Sequence, residues 1–359
     1  MPSDRYSRAE RILRAIRELP LEGEIRLMEV CGTHTMAIAK SGIKSMLPEN
    51  VKLLSGPGCP VCVTPTQVID AVLELSMNDR VTVCSYGDML RVPGSRPGDN
   101  LSRRKAMGAD VRVVYSPVDA VDYAAENPDR QVVFLGVGFE TTAPGTAAAV
   151  LTARERGIKN FSVWSMLKTV EPALRRLMEL EGFNIQGFIC PGHVGTVIGE
   201  QGFEFLPRDF GMPAAIAGFE PDEILLAIYS LLSQLEKKQP KVDNCYKRAV
   251  SKEGNSLAMS CLMSCLELRE DSWRGLGKIP ASGLGFREEY AEFDAERRFK
   301  ITYGEEKPSA CRCGQVITGM IAPADCPMFG RSCTPEDPVG PCMVSSEGAC
   351  AAAYKYQVI

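Results

Sequence analysis

The chain holds fourteen cysteines, and most fall into two groups. Cys31, Cys59 and Cys62 lie early, beside glycine, proline and threonine, while Cys311, Cys313, Cys326, Cys333, Cys342 and Cys350 crowd residues 311–350. Thiolates are both nucleophiles and soft metal ligands, so two such groups point to metal binding or redox work. The Cys59-x-x-Cys62 turn precedes a helix expected to begin near Thr66, whose N–H groups and dipole favour thiolate. With Cys31 it offers three thiols, enough to hold a soft transition metal with an open position. The same three could pair a redox disulfide with an attacking thiol. In the tail, Cys313, Cys326, Cys333 and Cys350 are separated by spacers of 12, 6 and 16 residues. Four thiolates in a loop-rich segment suit an iron–sulfur cubane or a tetrahedral zinc, with Cys311 and Cys342 as extra thiols, one of them a candidate redox partner. Cys84, Cys190, Cys245, Cys261 and Cys265 read as small buried hydrophobes.

The only two histidines, His34 and His193, and the isolated acid Glu140 fall where a parallel sheet would bring chemistry together. Ligands of such sheets bind beyond the carboxyl ends of strands. Cys31-Gly32-Thr33-His34-Thr35, Gly56 to Cys62, Tyr86-Gly87-Asp88, Gly138 to Thr142 and Pro191 to Gly195 each follow an apolar run at such an end. One cleft between lobes could gather them. His34 reads as a ligand, a proton donor or a hydrogen-bonded loop residue, and Glu140 as a cap of the following helix or a proton carrier. Gly136-Val137-Gly138 matches no complete phosphate-cradling pattern, so no nucleotide site is assigned.

The elements that must position these residues alternate between strand and helix. Candidate strands are Ile25 to Val30, Val51 to Leu54, Val81 to Ser85, Val111 to Tyr115, Val132 to Val137, Phe161 to Met166, Gly187 to Ile189 and Ala215 to Ala217. Several are continuous apolar runs, as expected when helices cover both sheet faces. Helical spacing is clearest at Gln67 to Leu75, Thr146 to Glu155, Pro172 to Leu180 and Asp222 to Leu235. A break at Asn127-Pro128-Asp129 divides the α/β chain into two similar lobes, 25–126 and 127–236. Arg8 to Leu19 forms an amphipathic helix that should dock on a later part of the chain. Lys237 to Lys241 reads as a linker into a third region poor in strands.

Lys plus Arg number 41 against 45 Asp plus Glu, a net charge of −4, with no basic block to track a phosphate backbone. No apolar run approaches the ~18 residues of a membrane span. Charges through the first 20 residues leave no signal-peptide core. Nucleic-acid and membrane partners are therefore not expected, and a cytoplasmic location is. In that reducing compartment the cysteines would not serve as structural disulfides.

Met28 to Thr35, Gly56 to Pro65, Gly138 to Pro144, Pro191 to Gly195 and the cysteine tail resemble, in order, the motifs of the hydrogenase maturation family HypD. The resemblance implies two Rossmann-like lobes and a third, cysteine-rich iron–sulfur domain formed by both termini, here 1–24 and 237–359. It further implies a scaffold, partnered by the small chaperone HypC, on which the Fe(CN)2CO group of [NiFe] hydrogenase is assembled. Cyanide would arrive from a HypE thiocyanate carrier, and HypC could pass the product to the hydrogenase large-subunit precursor. By motif, Cys31 would bind the nascent iron, with Cys59 and Cys62 as adjacent dithiol or further iron ligands. Cys313, Cys326, Cys333 and Cys350 would hold a [4Fe-4S] cluster that passes electrons toward that dithiol. His34, Glu140 and His193 would supply protons or steer the diatomic ligands. The competing readings are a thiol–disulfide reductase similar to ferredoxin:thioredoxin reductase, and a binding module with zinc in the tail.

Overall fold

A computed structural model describes residues 2–305 and 309–356. Residues 1, 306–308 and 357–359, which the expected third domain includes, lie outside the described residues. In chain order the strands are β1 (Ile25–Glu29), β2 (Val51–Ser55), β3 (Val81–Ser85), β4 (Asp110–Val113), β5 (Gln131–Gly138), β6 (Phe161–Leu167), β7 (Gly187–Pro191), β8 (Ala214–Ala217), β9 (Val242–Asn244), β10 (Leu266–Trp273) and β11 (Gly277–Phe286). All eight expected strands form, within two or three residues of their expected ends.

Pairing sorts nine of them into two wholly parallel sheets, ordered β2-β1-β7-β8-β9 and β4-β3-β5-β6. Two α/β units are thus present, but the boundary expected after residue 126 does not separate them. The four-stranded unit, built on residues 81–167, is inserted between β2 and β7 of the five-stranded one. Alternating βα pattern shows that strands lie parallel without saying which strands are neighbours, so a sequential split was the simplest reading and the wrong one.

Helix Pro2–Glu18 docks as its apolar stripe requires, burying Ile16 with Ile224, Ile228 and Leu231 of helix Pro221–Lys237. Arg8 pairs with Asp222 at 3.3 Å. This contact assigns the N-terminal helix to the five-stranded unit, and not to the cysteine tail with which the expected third domain grouped it. Lys237 to Lys241 does not lead out of the sheet either, because it runs straight into the edge strand β9.

The region beyond is not poor in strands. The antiparallel pair β10–β11 lies against β6, where Ser165 donates to the carbonyl of Leu284 and the Thr169 N–H donates to that of Ser282 at 3.0 Å. Charged Glu267, Arg269, Glu270 and Asp271 along β10 mask the apolar alternation. One hydrophobic cluster joins Met28 and Val30 of the first sheet, Val83 and Leu135 of the second, Trp273 and Ile279 of the hairpin, and Cys313, Cys342 and Cys350 of the tail. Each fully buried aliphatic side chain contributes about 1.5–3 kcal/mol, so this shared core fixes the units relative to one another.

Candidate functional site

The carboxyl edges of both sheets face one cleft of about 450 Å³. The five-stranded sheet contributes Cys31 and Thr33 after β1, Gly58 to Val61 after β2, and His193 after β7. The four-stranded sheet contributes Tyr86 to Met89 after β3 and Phe139, Thr141 and Thr142 after β5, while Ser345 and Glu347 of the tail close the rim. The loops meet as the strand order dictates: β1 lies between β2 and β7, so their three exits are adjacent.

Cys31 precedes helix Gly32–Ser41, and Cys59 precedes the short helix Pro60–Val63. Gly32 N–H donates to Gly58 O at 3.1 Å, and a Cβ on Gly58 would stand 2.2 Å from the Cys31 nitrogen. Only glycine permits this approach. Cys59 Sγ accepts from the Cys62 N–H at 3.3 Å and lies 2.6 Å from Cys62 Sγ. Burial, reinforced by the charges of Glu347 and Glu29, pushes the Cys31 thiol up to about 12. Burial also raises Cys62. For Cys62 the direction is opposite to that expected from a helix dipole, because burial outweighs the dipole of the four-residue helix Pro60–Val63.

Behind the cleft the thiols continue. Cys62, Cys342 and Cys313 are buried in one cluster, and the Cys311 thiol donates to Cys313 with 2.9 Å between sulfurs. Cys311 and Cys313 then line a small apolar cavity with Cys326, Cys333 and Cys350, walled by Met328, Phe329 and Val339. A Cβ on Gly340 would lie 2.3 Å from Cys311 Sγ and 2.6 Å from Cys313 Sγ, so glycine makes room for the pair. Among the described residues no three of His, Cys, Asp or Glu close tightly enough to grip a single metal ion. The five thiols surround a space instead of meeting at a point.

The other expected site residues divide. His193 lines the cleft, whereas neither His34 nor Glu140 does. His34 is buried and bonds through Nε2 to Gly218 O at 2.9 Å, which leaves Nδ1 without a partner. Burial drives its pKa down to about 4. Phe219 stacks between the two imidazoles, with centroids 4.8 Å from His34 and 4.0 Å from His193. Glu140 caps a helix other than the one that follows it: Oε1 accepts from the N–H of Val170 at 2.8 Å, and burial raises its pKa to about 7. The five cysteines read as hydrophobes form no part of either thiol site, and Cys84, Cys190 and Cys265 are buried in the core.

A family model described as "HypD: Hydrogenase formation hypA family" matches residues 7–357. The hydrogenase maturation factor HypD of Azotobacter vinelandii is 47% identical over 341 residues, covering 93% of this chain and 89% of that protein. That of Escherichia coli K12 is 43% identical over 366 residues, covering 99% and 97%. That of Rhizobium leguminosarum is 46% identical over 337 residues, covering 92% and 87%. The chain belongs to the HypD family of hydrogenase maturation factors.

In this HypD-family member several cleft groups escape sequence reasoning. Glu29, at the end of β1, accepts from the Cys31 N–H and the Thr35 hydroxyl; an acid closing an apolar strand just before a cysteine was the available signal. Glu347 accepts from the Thr33 hydroxyl at 2.6 Å, and Ser345 donates to Asp88 at 3.1 Å. The tail thereby ties the loop after β1 to the loop after β3. Nothing in the spacing of Ser345 and Glu347 announces that reach. No described helix is long and apolar enough to cross a membrane.

Proposed function

We propose that the protein holds the iron of a hydrogenase Fe(CN)2CO group in the cleft while that group is built, and that electrons reach the cleft through its line of thiols. The observation that carries this reading is the buried run of thiols from the Cys59/Cys62 pair past Cys342 to the Cys313/Cys311 pair, which lies between the cleft and the tail cavity. Iron and its diatomic ligands are the cargo. Cys31 is the cleft thiol best placed to bind iron, in company with a thiol from a HypC-type partner, and Cys59 lies beside it. Soft, electron-rich sulfur suits iron that carries cyanide and carbon monoxide. Iron binding displaces the thiol proton of Cys31, and His193 lines the same cleft.

The thiol-lined tail cavity supports the reading that a [4Fe-4S] cluster would be held there, by a set that differs from the expected one in one residue. Cys311, Cys326, Cys333 and Cys350 would hold it, leaving Cys313, which is buried in the same cluster as Cys342, for exchange. When bound, the cluster supplies single electrons at low potential. The chain itself supplies the exchange partners: Cys342 faces Cys62 on one side and Cys313 on the other. Cyanide release from a thiocyanate carrier of the HypE kind needs the reducing equivalents that a Cys59/Cys62 dithiol provides. The cytoplasm, which keeps thiols reduced, suits this chemistry.

The test is the iron, zinc and acid-labile sulfide content of anaerobically purified protein and of its Cys311→Ala and Cys313→Ala variants. About four iron and four sulfide per chain, lost in Cys311→Ala and kept in Cys313→Ala, is the expected result. Zinc without sulfide would overturn the electron route and leave a thiol scaffold.

A further inference from the structure

Arg274 lies in the turn between β10 and β11, 212 residues from Cys62, yet its guanidinium is committed to the CxxC helix. Nε donates to Cys62 O at 3.2 Å, one terminal nitrogen to Thr64 O at 2.8 Å and the other to Thr66 Oγ1 at 2.8 Å. The Arg274 N–H donates to Val63 O at 2.8 Å. A helix of four residues, Pro60–Val63, has almost no internal hydrogen bonding to hold it, and Arg274 satisfies the carbonyls at its carboxyl end. The next residue reaches the tail. Gly275, with φ of 79°, packs so closely on Gly314 that a Cβ would stand 2.6 Å from the Gly314 Cα, and Gly314 follows Cys313 directly. The hairpin turn thus grips both partners of the thiol line, Cys62 through Arg274 and Cys313 through Gly275.

We propose that Arg274 is a positioning residue for thiol exchange, holding Cys62 against Cys342 through its three-pronged contact with the CxxC helix. The inference rests on the electron route described above. The exchange it serves balances as follows. The Cys342 thiolate attacks Cys62 of a Cys59–Cys62 disulfide, forming Cys62–Cys342 and releasing the Cys59 thiolate, which takes up a proton. The Cys313 thiolate then attacks Cys342, forming Cys313–Cys342 and releasing Cys62, which is protonated in turn. Two electrons and two protons return Cys313–Cys342 to thiols, the electrons coming singly from a low-potential donor by way of the tail site. Attack requires the three sulfurs nearly in line, so a displacement of the CxxC helix slows the first step without changing any thiol.

Arg274→Lys keeps the charge and the aliphatic stem but cannot reach three acceptors. In the full-length protein, oxidised at Cys59–Cys62, reduction of that pair is followed by alkylation and peptide mass spectrometry, driven either by reduced methyl viologen or by dithiothreitol entering the cleft. Arg274→Lys is expected to slow the viologen route about tenfold or more while leaving the dithiothreitol route within about twofold and the iron content unchanged. Thr66→Val, which removes one acceptor, should slow the viologen route about threefold and serves if Arg274→Lys does not fold. Unchanged viologen rates in both variants, or equal slowing of both routes, overturns the proposal. Cys342→Ser separates the two levels: if it reduces as fast as the unaltered protein, the electron route itself fails and the role of Arg274 falls with it.

Discussion

The carboxyl group of Glu29 accepts a hydrogen bond from the backbone N–H of Cys31 at 3.2 Å, and its second oxygen accepts from the Thr35 hydroxyl at 2.5 Å. Both donors are buried, so removing the carboxyl leaves the Cys31 N–H unpaired and the Thr35 hydroxyl with only a longer bond to the Cys31 carbonyl, at 3.3 Å. Glu29→Ala should destabilise the fold by about 2–4 kcal/mol, and Glu29→Gln, which keeps one acceptor, by about 1–2 kcal/mol. Denaturant unfolding at neutral pH checks this, and equal stability of all three proteins would refute it.

Gly58→Ala sets a Cβ against the Cys31 backbone, an atom that cannot move without dragging β1 with it. A loss above about 3 kcal/mol is expected, together with separation of Cys31 from Cys59. The separation is read from the yield of Cys31–Cys59 crosslink with a short bifunctional maleimide.

Cys342→Ser removes the thiol between Cys62 and Cys313 while leaving the five thiols of the tail cavity in place. Iron and sulfide should remain at the unaltered level, and hydrogenase maturation in a complementation assay should fall at least about a hundredfold. Loss of iron in this variant would instead make Cys342 a ligand.

Glu140 is held neutral more readily in the fold than in the unfolded chain, its pKa being raised by burial to about 7 from 4.5. Between those values the folded state binds the extra proton, so this group's stabilising contribution is fully present below about pH 4.5 and is lost as pH rises through 7. The slope is at most about 1.4 kcal/mol per pH unit. His34 acts the other way, since its lowered pKa makes folding weaken as pH falls from 6.5 toward 4. Unfolding free energies of Glu140→Gln between pH 5 and 7.5 isolate the first effect. Relative to the unaltered protein, the variant should gain stability as pH rises, and parallel curves would exclude it.

The meeting of the site loops was more legible in the sequence than the assembly of the sheets. Placing Cys31, Cys59 and His193 in one cleft followed from their positions just beyond apolar strands, a rule that holds whatever the order of strands in the sheet. The order itself was hidden, because β1 and β3 are both short apolar runs and nothing local tells β1 to pair with β7 across more than 150 residues. His34 and Glu140 satisfied the same positional rule and yet turn inward, since a strand end fixes where the backbone goes and not which way a side chain points. The choice between Cys311 and Cys313 for the proposed cluster was open in the sequence for a similar reason. Cys311 and Cys313 are alternatives by spacing, and only in three dimensions is Cys313 seen to be buried in one cluster with Cys342.

The insertion of β3–β6 between β2 and β7 has a consequence for synthesis on the ribosome. The four-stranded unit is contiguous and complete once residue 167 has emerged, whereas the pair β1–β2 must wait for β7, which joins β1 to the rest of its sheet. Domains fold as units in the order their strands appear, so the later part of the sequence closes over the earlier. The cleft acquires its second wall at residue 193 and its rim at residue 347. A nascent chain therefore exposes Cys31, Cys59 and Cys62 long before it can orient them, and the cleft is complete only once residue 347 has emerged.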